Sequence, residues 1–130
     1  MKRKQLFMLA VLLTVAGTAT VSCSKVPVPE KNPVYLSSES QTYTTKVKNL
    51  KAIGIEYPYK GNYTSSESES NFWQKIEADW IDIYFKRTDG DVQKIKITVK
   101  ENTDSRERQY TFSLEYKNRH RTMTVYQKGK

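Results

Sequence analysis

The sequence predicts an all-β protein, an antiparallel β-sandwich of about seven strands over residues 34–130, and three observations carry that expectation. From Val34 onward apolar side chains recur at every second position, with no convincing 3.6-residue period. Polar turn clusters separate these segments at regular spacing, the pattern of a two-sheet antiparallel protein. The chain also has a single cysteine, so no intramolecular disulfide is available and burial with hydrogen bonding must hold the fold.

Taken in order, residues 1–22 read as a signal peptide. Lys2, Arg3 and Lys4 form a positive n-region, an apolar stretch runs from Leu6 to Ala16, and small side chains lead up to Cys23. That stretch of about 11 residues is too short to span a bilayer, which needs roughly 20. Ending on Thr20-Val21-Ser22-Cys23, the segment resembles the lipobox of bacterial lipoproteins, although Thr20 stands where Leu is usual. The resemblance implies lipid on Cys23, a lipid-anchored attachment to the membrane, and a cell-envelope location at the outer membrane with its face undecided. Residues 23–33 hold three of the four prolines and read as an extended, unpaired tether.

The strands follow. Val34-Tyr35-Leu36 is short; Tyr43, Thr45 and Val47 alternate, as do Ile53, Ile55 and Tyr57. Trp80 to Phe85 ends at Thr88-Asp89-Gly90-Asp91, a strong turn signal. Ile95, Ile97 and Val99 alternate with lysines and a threonine. The clearest segment is Tyr110 to Lys117, with every even position large and apolar; its partner is Thr122 to Tyr126, across a turn placed at Asn118-Arg119. The expected core is Trp80, Ile81, Ile83, Ile95, Ile97, Val99, Tyr110, Phe112, Leu114, Tyr116, Met123 and Val125. Residues 57–73 read as a long polar-aromatic loop, and loops of that length in compact domains are functional or mobile as a rule.

The order of these signals resembles a known family. Trp80-Ile81, Ile97-Thr98-Val99, Asn102, Arg108 and Val125-Tyr126-Gln127-Lys128-Gly129 follow the pattern of the BACON family, the Bacteroidetes-associated carbohydrate-binding, often N-terminal domain. The resemblance is clearest over residues 78–130. It implies an immunoglobulin-like sandwich and a carbohydrate ligand. The shared residues themselves read as scaffold: Trp80 as a core plug, Arg108 pairing with the 102–105 turn or a carboxylate, and Gln127 satisfying backbone at the end of the last strand.

Charge and chemistry narrow the function. The formal net charge is +8, which falls to +5 once the three cationic residues of 1–22 are removed. No run of five like charges occurs, so nucleic acid is not an expected partner. His120 is the only histidine and lies between two arginines at a turn, which leaves neither a zinc set nor a Ser-His-Asp triad. Glu67 and Glu69 are the nearest carboxylate pair, but they lie in a Ser-Glu-Ser-Glu-Ser run that reads as solvated. No glycine-rich phosphate loop is present. The expectation is a non-catalytic protein without cofactor or metal.

Sugar sites commonly use exposed aromatic rings and planar polar side chains. Tyr59, Tyr63 and Trp73 are the candidate stacking groups and Asn62 and Glu67 the hydroxyl partners, all within residues 57–73. Phe72 and Trp73 read either as a lid over one end of the sandwich or as a ligand platform, and Tyr84 and Tyr126 fall on the solvent phase of their strands. Two functions stay open: glycan binding, or a structural spacer or interaction module that meets an envelope protein partner through an edge strand.

Overall fold

The computed structural model describes residues 25–130. Cys23 and the signal segment lie outside the described residues. Ten strands form two packed sheets: β1 (Val28–Pro29), β2 (Val34–Leu36), β3 (Gln41–Lys48), β4 (Ala52–Ile55), β5 (Asn62–Ser65), β6 (Trp73–Glu77), β7 (Ile81–Lys86), β8 (Val92–Val99), β9 (Arg108–Tyr116) and β10 (Arg119–Gln127). The larger sheet has the order β1-β3-β8-β7-β6-β5 and the smaller β2-β10-β9-β4. All neighbours are antiparallel except β2 and β10, which run parallel. The fold is the expected β-sandwich, with ten strands in place of about seven and one parallel pair among antiparallel ones.

Alternation explains the core. Along β8 every second residue is buried, with Gln93, Ile95, Ile97 and Val99 inward and the lysines outward. Ile83 and Phe85 of β7, Ile76 of β6 and Val47 of β3 meet Phe112, Leu114, Met123 and Val125 of the smaller sheet, all essentially inaccessible to solvent. Two expected core residues lie at its margin. Trp80 precedes β7 and packs half-buried against the cluster, and Tyr116 is half-buried at the end of β9, where Lys51 and Lys117 reach over its ring.

The structure corrects the sequence reading in three places. The tether is not wholly unpaired, because Val28 and Pro29 pair with Lys48 and Val47 as the outermost strand of the larger sheet. Proline is tolerated at such an edge because one side of the strand needs no donor. The β9–β10 turn lies one residue earlier than expected: Tyr116 pairs with Arg119, which leaves Lys117 and Asn118 as the turn, and Lys117 takes a left-handed φ of 53°. Finally, residues 57–73 are not one loop. They contain β5, which pairs with β6 as a hairpin. The inward positions of β6 are Gln74 and Ile76, and the amide at 74 hides the alternation.

Two buried amides join the layers. Gln74 Oε1 accepts the backbone N–H of Ile53 at 2.7 Å, linking β6 to β4 of the opposite sheet, while its Nε2 donates to the Tyr63 hydroxyl. Gln127, fully buried at the end of β10, donates to the Lys100 carbonyl at 2.9 Å and accepts from Arg108 Nε at 2.9 Å. Arg108 Nη2 continues to the carbonyls of Lys100 and Glu101, so it pairs with the loop backbone rather than a carboxylate. Asn102 donates to the carbonyls of Arg106 and Lys128. A Cβ at Gly129 would overlap the Ser105 carbonyl, so the chain end can lie against this turn only without a side chain.

Leu114→Ala should destabilise the fold by about 2–5 kcal/mol, the range for a fully buried leucine. Gln127→Ala should lower stability by about 1–3 kcal/mol for each buried group left unpaired. Urea denaturation of both variants checks the pair, and a Gln127→Ala effect within error of wild type would refute the role given to the amide.

Candidate functional site

A cleft of about 650 Å³ opens at the end of the sandwich where the β4–β5 connection, the β6–β7 turn and the start of β9 converge. The first supplies Tyr59 and Asn62, the second Glu77 and Trp80, the third Gln109 and Tyr110. Tyr59 is held from three sides. Its amide donates to the Glu56 carbonyl at 2.8 Å, its hydroxyl accepts from Gln109 Nε2 at 2.6 Å, and its ring meets Tyr110 edge-on at 5.3 Å. Tyr110 in turn meets Trp80 edge-on at 6.5 Å and donates its hydroxyl to the Lys60 carbonyl at 3.1 Å. The Arg108 guanidinium covers the Trp80 ring at 4.6 Å. Gly61 packs closely here: a Cβ would lie 3.1 Å from the Glu77 carbonyl and 3.2 Å from the Tyr110 hydroxyl, so a side chain would have to displace its neighbours slightly.

Beside the cleft, the outer face of the smaller sheet continues the same chemistry. Gln109 stands opposite Tyr126, and Tyr126 opposite Tyr35, in one cross-strand row. The two tyrosine rings stack at 5.2 Å and 12°, and Tyr35 is 64% exposed. The next position along the sheet holds Thr111 and Thr124, whose hydroxyls hydrogen-bond at 2.8 Å. Asn32 brackets Thr124 by accepting its amide N–H and donating to the Thr122 carbonyl. From Tyr59 to Tyr35 the side chains of this row are therefore aromatic, hydroxyl or amide and uncharged, while Lys60, Glu77 and Asp79 line the cleft on the other side of Tyr59. The row can stack against a sugar ring and exchange hydrogen bonds with hydroxyl groups.

The candidate residues of 57–73 are divided among separate places. Tyr59 and Asn62 line the cleft. Tyr63 is 46% exposed on β5, turned to the inner side, where its hydroxyl meets Gln74. Glu67 is exposed in the turn between β5 and β6. Trp73 lies on the outer face of the larger sheet, stacked on Tyr84 at 6.3 Å. Period-2 alternation is the reason, since it sends Trp73 and Gln74 to opposite faces of one strand. Phe72 and Trp73 also part. Phe72 packs on the core edge beneath the Arg87 guanidinium, as a lid would, while Trp73 has the outward position of a platform.

Sequence reasoning missed Trp80 and Gln109 as parts of a cleft, and Tyr35 as the partner of Tyr126. Their approach depends on a parallel β2–β10 pairing and on loops distant in sequence. Among the described residues no three His, Cys, Asp or Glu side chains gather as a metal site, and no helix is long and apolar enough to cross a membrane.

No family model matches the chain. No curated protein matches it. A solved structure similar to it is the NMR structure of a protein from Bacteroides thetaiotaomicron, 15% identical, covering 81% of this chain and 88% of that one with a TM-score of 0.48.

Burial pushes the Tyr110 phenol above its ordinary value. A raised phenol contributes stability that is fully present below the ordinary tyrosine range and is lost as pH rises through the folded value. Ultraviolet difference titration should show one tyrosine ionising after the exposed ones. Tyr110→Phe should remove that last step, and titration of all tyrosines together would refute the burial argument.

Proposed function

We propose that this chain is a non-catalytic carbohydrate-binding lipoprotein of the cell envelope, with a BACON-like domain held at the outer membrane by lipid on Cys23. The observation that carries the binding reading is the uncharged row from the cleft through Tyr59, Gln109 and Tyr126 to Tyr35. Stacked rings next to Gln and Thr groups suit a neutral glycan, and the edge-on packing of Tyr59, Tyr110 and Trp80 holds the cleft rings in place before a ligand arrives. Preorganisation of this kind lowers the ordering cost that makes most single-ring sugar contacts weak.

The spacer or interaction-module reading has less support. Each outermost strand is short, with two residues in β1, four in β5, three in β2 and four in β4. Short edges are poor templates for strand addition by a partner.

A neutral-glycan array with the mature chain should give weak binding that changes little with salt, because no ion pair is involved. Tyr59→Ala and Tyr126→Ala should each abolish it, while Tyr63→Ala should have little effect. Binding unchanged in both of the first two variants would move the site elsewhere. In cells, metabolic labelling with a fatty-acid analogue should mark the protein, and Cys23→Ser should remove the label; a labelled Cys23→Ser protein would refute the anchor.

A further inference from the structure

The outer face of the larger sheet carries a different chemistry from the cleft and the tyrosine row. Alternation turns Lys46 of β3, Lys86 of β7 and Lys94 and Lys96 of β8 to solvent, all exposed, and Lys75 of β6 joins them half-exposed. Lys46 and Lys94 stand directly opposite each other, where like charges oppose strand pairing. Among the described residues, ion pairing on this face involves Lys75 with Glu77 at 3.6 Å and none of the other four lysines. The carboxylates here, Glu77 and Asp82, face each other at one end of the β6–β7 pair and leave the remainder cationic.

An aromatic platform lies within this charge. Trp73 stacks on Tyr84 with 29° between the ring planes, and Lys96 Nζ lies 5.6 Å from the Tyr84 ring centre. The two rings, with Lys75, Asp82, Lys96 and Thr98, line a shallow hollow of about 450 Å³.

We infer that this face binds an acidic polysaccharide, a chain of pyranose rings bearing carboxylates or sulfates. The stacked rings offer a flat apolar surface to one sugar ring. The lysines supply cations at intervals of about 4.8 Å across strands and about 6.8 Å along them, close to the length of a single sugar residue. Lysine is a compact point charge that meets carboxylate or sulfate without a fixed bidentate geometry. Such a ligand would also offset the repulsion between Lys46 and Lys94. A headgroup layer could meet the lysines, but it offers no ring to stack on the aromatic hollow, and the vesicle control below separates the two. The inference does not rest on the neutral-glycan cleft, which lies at a different place in the fold.

Calorimetry on the mature chain with polygalacturonate and chondroitin sulfate tests this, with dextran as the uncharged control and phosphatidylglycerol vesicles as the lipid control. Expected is binding to at least one of the two acidic polymers that weakens steeply with salt, and none to dextran at this face. Lys94→Gln with Lys96→Gln should reduce affinity at least about tenfold, and Trp73→Ala about tenfold through the lost stacking. Thermal melts establish that each variant is folded, and Trp73→Phe should retain most of the binding. Tyr59→Ala should leave it unchanged, which separates this site from the cleft. Binding that ignores Trp73→Ala would mean plain polycation behaviour and overturn the site. Binding to vesicles without binding to either polysaccharide would assign the face to a membrane surface, and binding to none of the four probes would also overturn it.

Discussion

The fully buried carboxamide of Gln127 ties together the end of the sandwich on which the cleft is built. It receives Arg108 Nε from the neighbouring strand and donates to the carbonyl of Lys100, which leaves the opposite sheet. Arg108 spans the same gap from β9, with two further bonds to the 100–101 backbone, and its guanidinium sits over the Trp80 ring. Asn102 closes the turn that follows, bonding both Arg106 and Lys128, while its own amide donates to the Ser38 carbonyl at 2.7 Å. Buried polar groups of this kind are valuable when complete and expensive when broken. Here the set is complete, so the chain at 100–106, the last strand and Trp80 keep one arrangement. Burial pulls the Arg108 guanidinium down from its ordinary value, yet the carbonyls and the ring still surround a cation.

The cleft inherits its geometry from that knot. Trp80 is held by Arg108, Tyr110 meets Trp80, and Tyr59 meets Tyr110. The Tyr59 ring is thus connected through four contacts to a fully buried amide, the last being Arg108 to Gln127. Rigidity at this end has a counterpart in Gln74, which fastens β6 to β4 and sets the line of the hairpin that carries Asn62. Asn102, Arg108 and Gln127 thus tie backbone together, whereas Trp80 lines the cleft and Tyr126 belongs to the row of rings beside it.

Alternation has a second consequence on the outer faces. A two-sheet sandwich presents two solvent surfaces, and each strand contributes to its own surface only through every second residue. The smaller sheet gathers tyrosine, threonine and glutamine outward, whereas the larger gathers lysine around Trp73 and Tyr84. The positive charge that looks diffuse along the chain becomes concentrated once β3, β6, β7 and β8 lie side by side.

Local pattern determined the fold class. Period-2 burial from β7 to β10 is visible in the residues themselves because each strand has one dry face and one wet face, and the Asp89-Gly90-Asp91 turn is legible because Gly90 takes a φ of 104° that suits glycine. The β5–β6 hairpin was hidden where an inward position is a glutamine, since Gln74 satisfies its amide across the sandwich and breaks the apolar alternation. Tyr126 could be read as solvent-facing from its neighbours. Its stacking on Tyr35, the meeting of Tyr59 with Gln109 and the convergence of lysines around Trp73 could not, because each joins strands or loops distant along the chain. By itself the sequence determined which residues turn inward and which outward along the strands from β7 to β10, a property of each strand alone. Which outward residues become neighbours was decided only by strand order and register in the tertiary structure.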